Sequence, residues 1–163
     1  MDAALSMVDH RLQQIRLNGN ADACWFHNPD ASLALDGADF DSLVTGACTL
    51  VYVYTNWLRQ AHEHHGAETP EVIGIVTGYI AGSLRLMTQS VEPESIPTMV
   101  GLATAASLDL SPTLWREQYG PWMPSELNAL EATLTLLAYK INEIAQDDTM
   151  AIRMVADALH PSD

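Results

Sequence analysis

Basic residues are scarce in this 163-residue chain. Seven lysines and arginines stand against 21 aspartates and glutamates, which gives a formal net charge of −14. Lys140 is the only lysine, and no basic residue lies between Arg16 and Arg59. Because nucleic-acid-binding proteins neutralise phosphates with lysine and arginine, this composition argues against direct nucleic-acid binding. A solvated acidic surface that keeps the protein soluble is the simplest explanation of the charge.

Cysteines and long apolar runs are also few. Cys24 and Cys48 are the only cysteines, too far apart for a redox motif and too few for a secreted disulfide scaffold. The N-terminus lacks the basic start and apolar run of a signal peptide. The longest uncharged stretch, 42–58, is short and polar for a membrane span. We therefore expect a cytoplasmic protein with buried thiols and no membrane partner.

Signatures of catalysis are missing as well. The chain has neither a phosphate-cradling glycine loop nor a nucleophile elbow. The nearest carboxylate pairs for magnesium, Glu126 with Glu131 and Glu143 with Asp147, are badly spaced on a helix or straddle a helix junction. We predict no cofactor and lean against an enzyme.

The segment His62-Glu63-His64-His65 is the one hint of a metal site. His62 and His65 share a helix face, and imidazole binds zinc well. The metalloprotease pattern needs histidines four residues apart, and no second ligand group matches this segment elsewhere. We expect these histidines to close a helix before Gly66, where the helix dipole favours their protonated forms. No metal is predicted, with His62 and His65 as the weak candidates.

Helical periodicity is what the chain does have. The strongest apolar stripe, 40–61, has only a weakly polar far side and predicts a central helix with contacts on most sides. The fold class is mainly α: a compact, bundle-like single domain, 1–163, of six or seven helices. The other predicted helices cover residues 2–17, about 70–89, 96–106, 112–119, 124–144 and 149–159.

The segment 23–35 has a different pattern. Two short apolar runs flank Asn28-Pro29-Asp30. Pairing His27 with Ser32 puts Phe26 opposite Leu33 and Cys24 opposite Leu35, which gives one apolar face. We predict one small β-hairpin near residues 23–35.

A row of glycines, Gly74, Gly78 and Gly82, lies within the predicted helix 70–89. Each helical glycine costs about 1 kcal/mol relative to alanine, so the row gives up roughly 3 kcal/mol. Three explanations stay open: close packing inside the domain, a ligand groove, or a self-association interface. In the last of these, Arg85 and Glu71 at opposite ends of the face would meet their counterparts in an antiparallel pair.

Aromatic side chains are concentrated beside proline turns. Trp115, Tyr119 and Trp122 lie within residues 114–124, and Trp25 belongs to a second cluster on the predicted hairpin. Large amphipathic rings are frequent anchors at binding interfaces, but they also cover the ends of a core. These four residues are therefore interface candidates.

Two functions compete at this stage. The first is a noncatalytic protein-interaction or regulatory module that binds a protein partner or forms a homodimer. The alternative is a helical small-molecule-binding protein or enzyme, metal-assisted or not, with a pocket between the central helices. Such a pocket would be lined by Tyr52, Trp57 and Tyr79.

Overall fold

The structure is a computed structural model that describes residues 1–18 and 37–159. These ranges contain seven α-helices and no strand, which confirms the mainly helical prediction. The hairpin predicted near residues 23–35, with Trp25, lies outside the described residues. A 3-10 turn, Pro93–Ser95, precedes the fourth helix. The helices are α1 Asp2–Asn18, α2 Gly37–His64, α3 Thr69–Leu86, α4 Ile96–Ser107, α5 Pro112–Glu117, α6 Pro124–Ala145 and α7 Met150–Leu159.

Helix α2 is the centre of the molecule. It packs against α1, α3, α4, α5 and α6, as its apolar stripe and weakly polar far side predicted. Leu50, Val51, Tyr54 and Leu58 are almost completely buried, and they belong to one hydrophobic cluster that reaches every helix except α5. Because α2 is longer than any neighbour, different helices cover different parts of its length.

Local capping sets several helix ends. The Ser111 hydroxyl accepts a hydrogen bond from the Leu114 amide at 3.3 Å, and Pro112 occupies the first position of α5, as predicted. Asn142 connects α6 to α7, because its amide nitrogen donates to the carbonyl oxygen of Asp148 and its oxygen accepts from the amide of Ala151. These bonds satisfy backbone groups that a short helix leaves unpaired.

Two glycines permit close approach between elements. A Cβ on Gly46 would lie 2.8 Å from the Cα atom of Met1, so the start of α1 rests directly on α2. A Cβ on Gly101 would overlap the indole ring of Trp115. The indole ring therefore packs against the backbone of α4, where only glycine leaves room for it.

This contact gives a first test of the packing. Gly101→Ala should lower the free energy of unfolding by about 1–3 kcal/mol, because the indole must shift to admit a methyl group. Urea unfolding of the variant and the parent protein measures the difference. Trp115→Leu in the Gly101→Ala background should be no less stable than Trp115→Leu alone. Unchanged stability of Gly101→Ala would contradict the packing of Trp115 on α4.

Candidate functional site

Helix α3 packs on the core with only one side. Val72, Val76, Ile80 and Leu84 are buried and recur every four residues, so they form a single stripe. This stripe faces α2, α4 and α6. Among the described residues, no helix is seen to pack on the opposite side of α3.

The outer face of α3 is built around the three glycines. No described atom lies within 4 Å of a Cβ placed on Gly74, Gly78 or Gly82. Among the described residues, therefore, no neighbouring helix packs closely against the glycine row. We call this surface the outer face of α3; its exposed residues are Glu71, Gly74, Ile75, Gly78, Gly82, Arg85 and Leu86.

The outer face also carries apolar side chains. Ile75 is 40% exposed and Leu86 is 79% exposed. Between them the glycines leave backbone atoms bare, so the middle of the helix is flat. Flat backbone flanked by apolar side chains is a surface onto which another helix can pack closely.

Charge on the outer face lies at its two ends. Among the described residues, Glu71 and Arg85 form no side-chain hydrogen bond or ion pair, although carboxylates greatly outnumber basic groups. Five of the seven basic residues do have carboxylate partners in the described ranges. These pairs are Arg11–Glu131, Arg59–Asp109, Arg116–Glu126, Lys140–Glu143 and Arg153–Asp147.

The aromatic segment is largely part of the fold. The half-buried ring of Trp115 covers Gly101, and its centroid lies 4.8 Å from that of Tyr119. Trp122 lies under the guanidinium of Arg116, 4.5 Å from the ring centroid. Of the three rings, only that of Tyr119 is mainly exposed, at 64%.

Arg116 organises the turn between α5 and α6, which sequence reasoning missed. Its side chain is 3% exposed and donates to the carbonyl oxygens of Gly120 and Pro121 and to the carboxylate of Glu126, at 2.8, 3.1 and 2.5 Å. The same Glu126 oxygen accepts from the amide of Met123. No local spacing signalled this pair, because its partners are ten residues apart on different helices. The contacts of Trp115 and Trp122 thus stabilise the fold around this turn.

In the part of the chain that the structure describes, the three pocket candidates contact different elements. Tyr52 on α2 donates to Asp109 at 3.4 Å, in the turn between α4 and α5. Tyr79 on α3 donates to the carbonyl oxygen of Leu136 on α6 at 3.3 Å, and its burial raises the pKa of its hydroxyl. Trp57 packs at the edge of the core.

Two surface cavities lie elsewhere on the protein. One, of about 350 Å³, lies between α1 and the end of α6, where Arg16 and Tyr139 line it. The other, of about 370 Å³, is an open depression beside Met1 and Thr45. Neither of these two cavities is lined by Tyr52, Trp57 or Tyr79.

The metal candidates are not supported by a ligand set. His62 is half-buried near the end of α2. His65 follows the last residue of α2, and its ring nitrogen Nδ1 lies 2.7 Å from the carbonyl oxygen of Ala61. No three histidine, cysteine, aspartate or glutamate side chains of residues 1–18 and 37–159 form a group that could hold a metal. The four carboxylates considered for magnesium each pair with a cation instead.

Cys48 is a buried thiol, as expected. Burial raises its pKa to about 11, although a hydrogen bond with Thr113 and the charge of Arg116 act in the opposite direction. The protonated thiol is a poor nucleophile, so Cys48 is not a catalytic candidate.

The raised pKa predicts the chemical behaviour of Cys48. In a Cys24→Ser background, native protein at pH 8 should react with a thiol reagent at least about 100-fold more slowly than urea-unfolded protein, because the thiol is both buried and protonated. Mass spectrometry of alkylated samples measures the two rates. Similar rates in native and unfolded protein would contradict the burial.

Comparison with models of protein families, with curated proteins and with solved structures finds no significant match to the chain. Within the described part of the chain, no helix is both long enough and apolar enough to cross a membrane.

The open glycines give a second test, with the opposite sign to that at Gly101. Gly78→Ala should raise the free energy of unfolding by about 0.5–1 kcal/mol, because the methyl group meets no described atom and alanine favours the helix. At low protein concentration this corresponds to a melting temperature about 1–4 °C higher. A destabilised Gly78→Ala monomer would show that Gly78 is packed inside the molecule after all.

Proposed function

We propose that this protein is a noncatalytic protein-interaction module and that the outer face of α3 is its contact surface. The observation that carries the proposal is the exposure of Gly74, Gly78 and Gly82 on one helix face with no described neighbour. A partner helix in contact with this face would account for the three glycines, which no contact among the described residues requires.

The energetics of the glycine row support a role outside the monomer. Total stabilities of domains are about 5–15 kcal/mol, so a loss of roughly 3 kcal/mol of helix propensity is substantial. Residues that weaken a fold without a structural reason are expected where function needs them. Here the need would be close approach, because a helix without side chains along one strip lets a second backbone come near enough for dispersion and Cα–H···O contacts.

The remaining candidate sites support the noncatalytic part of the proposal. Arg116 and Trp122 are occupied in fixing a turn, and Tyr52 and Tyr79 bond to different elements. The thiol of Cys48 is buried and protonated. The outer face of α3, in contrast, contains apolar and charged side chains for which the described residues offer no partner.

A photo-crosslinking experiment tests the contact surface. The photoreactive residue p-benzoylphenylalanine replaces Leu86, which is exposed at the end of the face, in cells that naturally make the protein. We expect a covalent adduct with one protein, identified by mass spectrometry and then shown to bind the purified chain. The same replacement at Asp157, exposed on α7, is the control and should give at least about fivefold less adduct.

A blocking variant makes this experiment specific. Gly78→Leu should remove the Leu86 adduct, because its side chain projects from the middle of the outer face while the monomer has room for it. Circular dichroism verifies that the variant is folded. An adduct that persists in Gly78→Leu, or equal labelling from positions 86 and 157, would reject the outer face as the contact surface.

A further inference from the structure

We infer that the occupant of the outer face of α3 is a second copy of this chain, packed antiparallel about a twofold axis that passes by Gly78. This inference rests on the proposed function, since it names the partner of the same surface. It follows from the order of the residues along the face, from the charges at its two ends and from the absence of a described carboxylate partner for Arg85.

The residues of the outer face are arranged symmetrically about Gly78. Gly74 lies four residues before it and Gly82 four residues after it. Glu71 lies seven residues before it and Arg85 seven residues after it. Steps of four and seven residues keep these positions on one side of a helix. A twofold axis at Gly78 therefore brings each glycine opposite a glycine, which is what an isologous interface requires.

Charge complementarity selects the antiparallel direction. In that arrangement Glu71 lies opposite the partner's Arg85, and the symmetry creates the same pair at the other end. A parallel arrangement would place glutamate against glutamate and arginine against arginine. Opposite charges in register determine orientation even where each pair adds little affinity. The helix dipoles also favour the antiparallel arrangement, because the positive end of each lies beside the negative end of the other.

The unpaired state of Arg85 supports a partner with a carboxylate at this place. The chain carries a net charge of −14, so two copies repel each other unless their contact is specific. Yet no described carboxylate pairs with Arg85, an exposed cation at the end of the glycine row. The partner's Glu71 supplies that carboxylate.

Packing along the middle of the face is self-complementary too. Ile75 lies on one edge of the glycine row, and the twofold axis places its exposed side chain beside the partner's Gly82. The stretch from Glu71 to Arg85 is about 21 Å long at 1.5 Å per residue. One helix face is smaller than the roughly 800 Å² per partner of standard stable complexes. The dimer is accordingly weak, with a Kd between about 1 μM and 1 mM.

Analytical ultracentrifugation of charge variants tests both the partner and the direction. The full chain is measured from micromolar to millimolar concentration at physiological salt, with the variants Glu71→Arg, Arg85→Glu and the double variant that exchanges both charges. Each single variant puts like charges at both ends of the antiparallel pair, and we expect dimerisation at least fivefold weaker. The double variant restores both pairs and has the parent net charge, so its Kd should be within about twofold of the parent value.

A control separates this effect from general charge. Glu71→Arg makes the protein less negative, which by itself reduces repulsion between copies. Asp157→Arg makes the same change of charge on α7, away from the outer face, and should leave the dimer unchanged or slightly stronger. Weakening by Glu71→Arg but not by Asp157→Arg therefore supports a local pair.

Two results would overturn the inference. The first is a parent protein that stays monomeric at 1 mM, and the second is a dimer that Glu71→Arg leaves unchanged. Neither of them by itself rejects the proposed function, which fails if the Leu86 crosslink is absent, is insensitive to Gly78→Leu or is no stronger than the crosslink from position 157. A Leu86 adduct with a different protein, together with a monomeric parent, would keep the contact surface and replace the second copy as its occupant.

Discussion

The burial of α2 on most of its sides is the constraint on which the rest of the structure depends. Leu50, Val51, Tyr54 and Leu58 are among the most completely buried side chains, and five other helices pack around this one. Burial of such side chains contributes about 1.5–3 kcal/mol each, so the arrangement around α2 dominates the stability of the protein. Every neighbour of α2 needs only one apolar stripe to take part in this core.

The single stripe of α3 follows from that arrangement. Its buried residues recur every four positions, and its other side does not contribute to the described core. In most surface helices that side would carry charged side chains with good helix propensity. In α3 it carries three glycines, two exposed apolar side chains and a single charge at each end. The departure from the usual pattern is what makes this face the strongest functional candidate among the described residues.

Arg116 illustrates how a buried charge changes the meaning of nearby residues. Its two terminal nitrogens donate to two carbonyl oxygens and to the Glu126 carboxylate, and the guanidinium lies on the face of Trp122, whereas its buried Nε has no partner among the described residues. Burial of an unpaired charge would cost several kcal/mol, so these partners are needed once Arg116 is enclosed. The prolines and rings of residues 114–124 resemble a recognition loop in sequence, yet most of them serve this turn. Tyr119, whose ring is largely exposed, is the exception.

Sequence periodicity was sufficient for the helices, because an amphipathic stripe is a local property that repeats every 3.6 residues. It located α1, the central position of α2 and the proline-led starts of α5 and α6, and local capping by Ser111 agreed with it. It also showed that Gly74, Gly78 and Gly82 lie opposite the buried residues of α3.

Periodicity does not reveal how many helices surround a given helix, however. Whether the glycine face lay against another described helix was therefore decided by the tertiary structure. The same holds for Tyr52 and Tyr79, which are both aromatic but bond to different elements, the turn after α4 and helix α6. The burial of Arg116 was likewise decided by the tertiary structure, because it depends on the contact between α5 and α6 across a turn. Local pattern determines which side of a helix is apolar, whereas the number of helices that cover it depends on long-range packing.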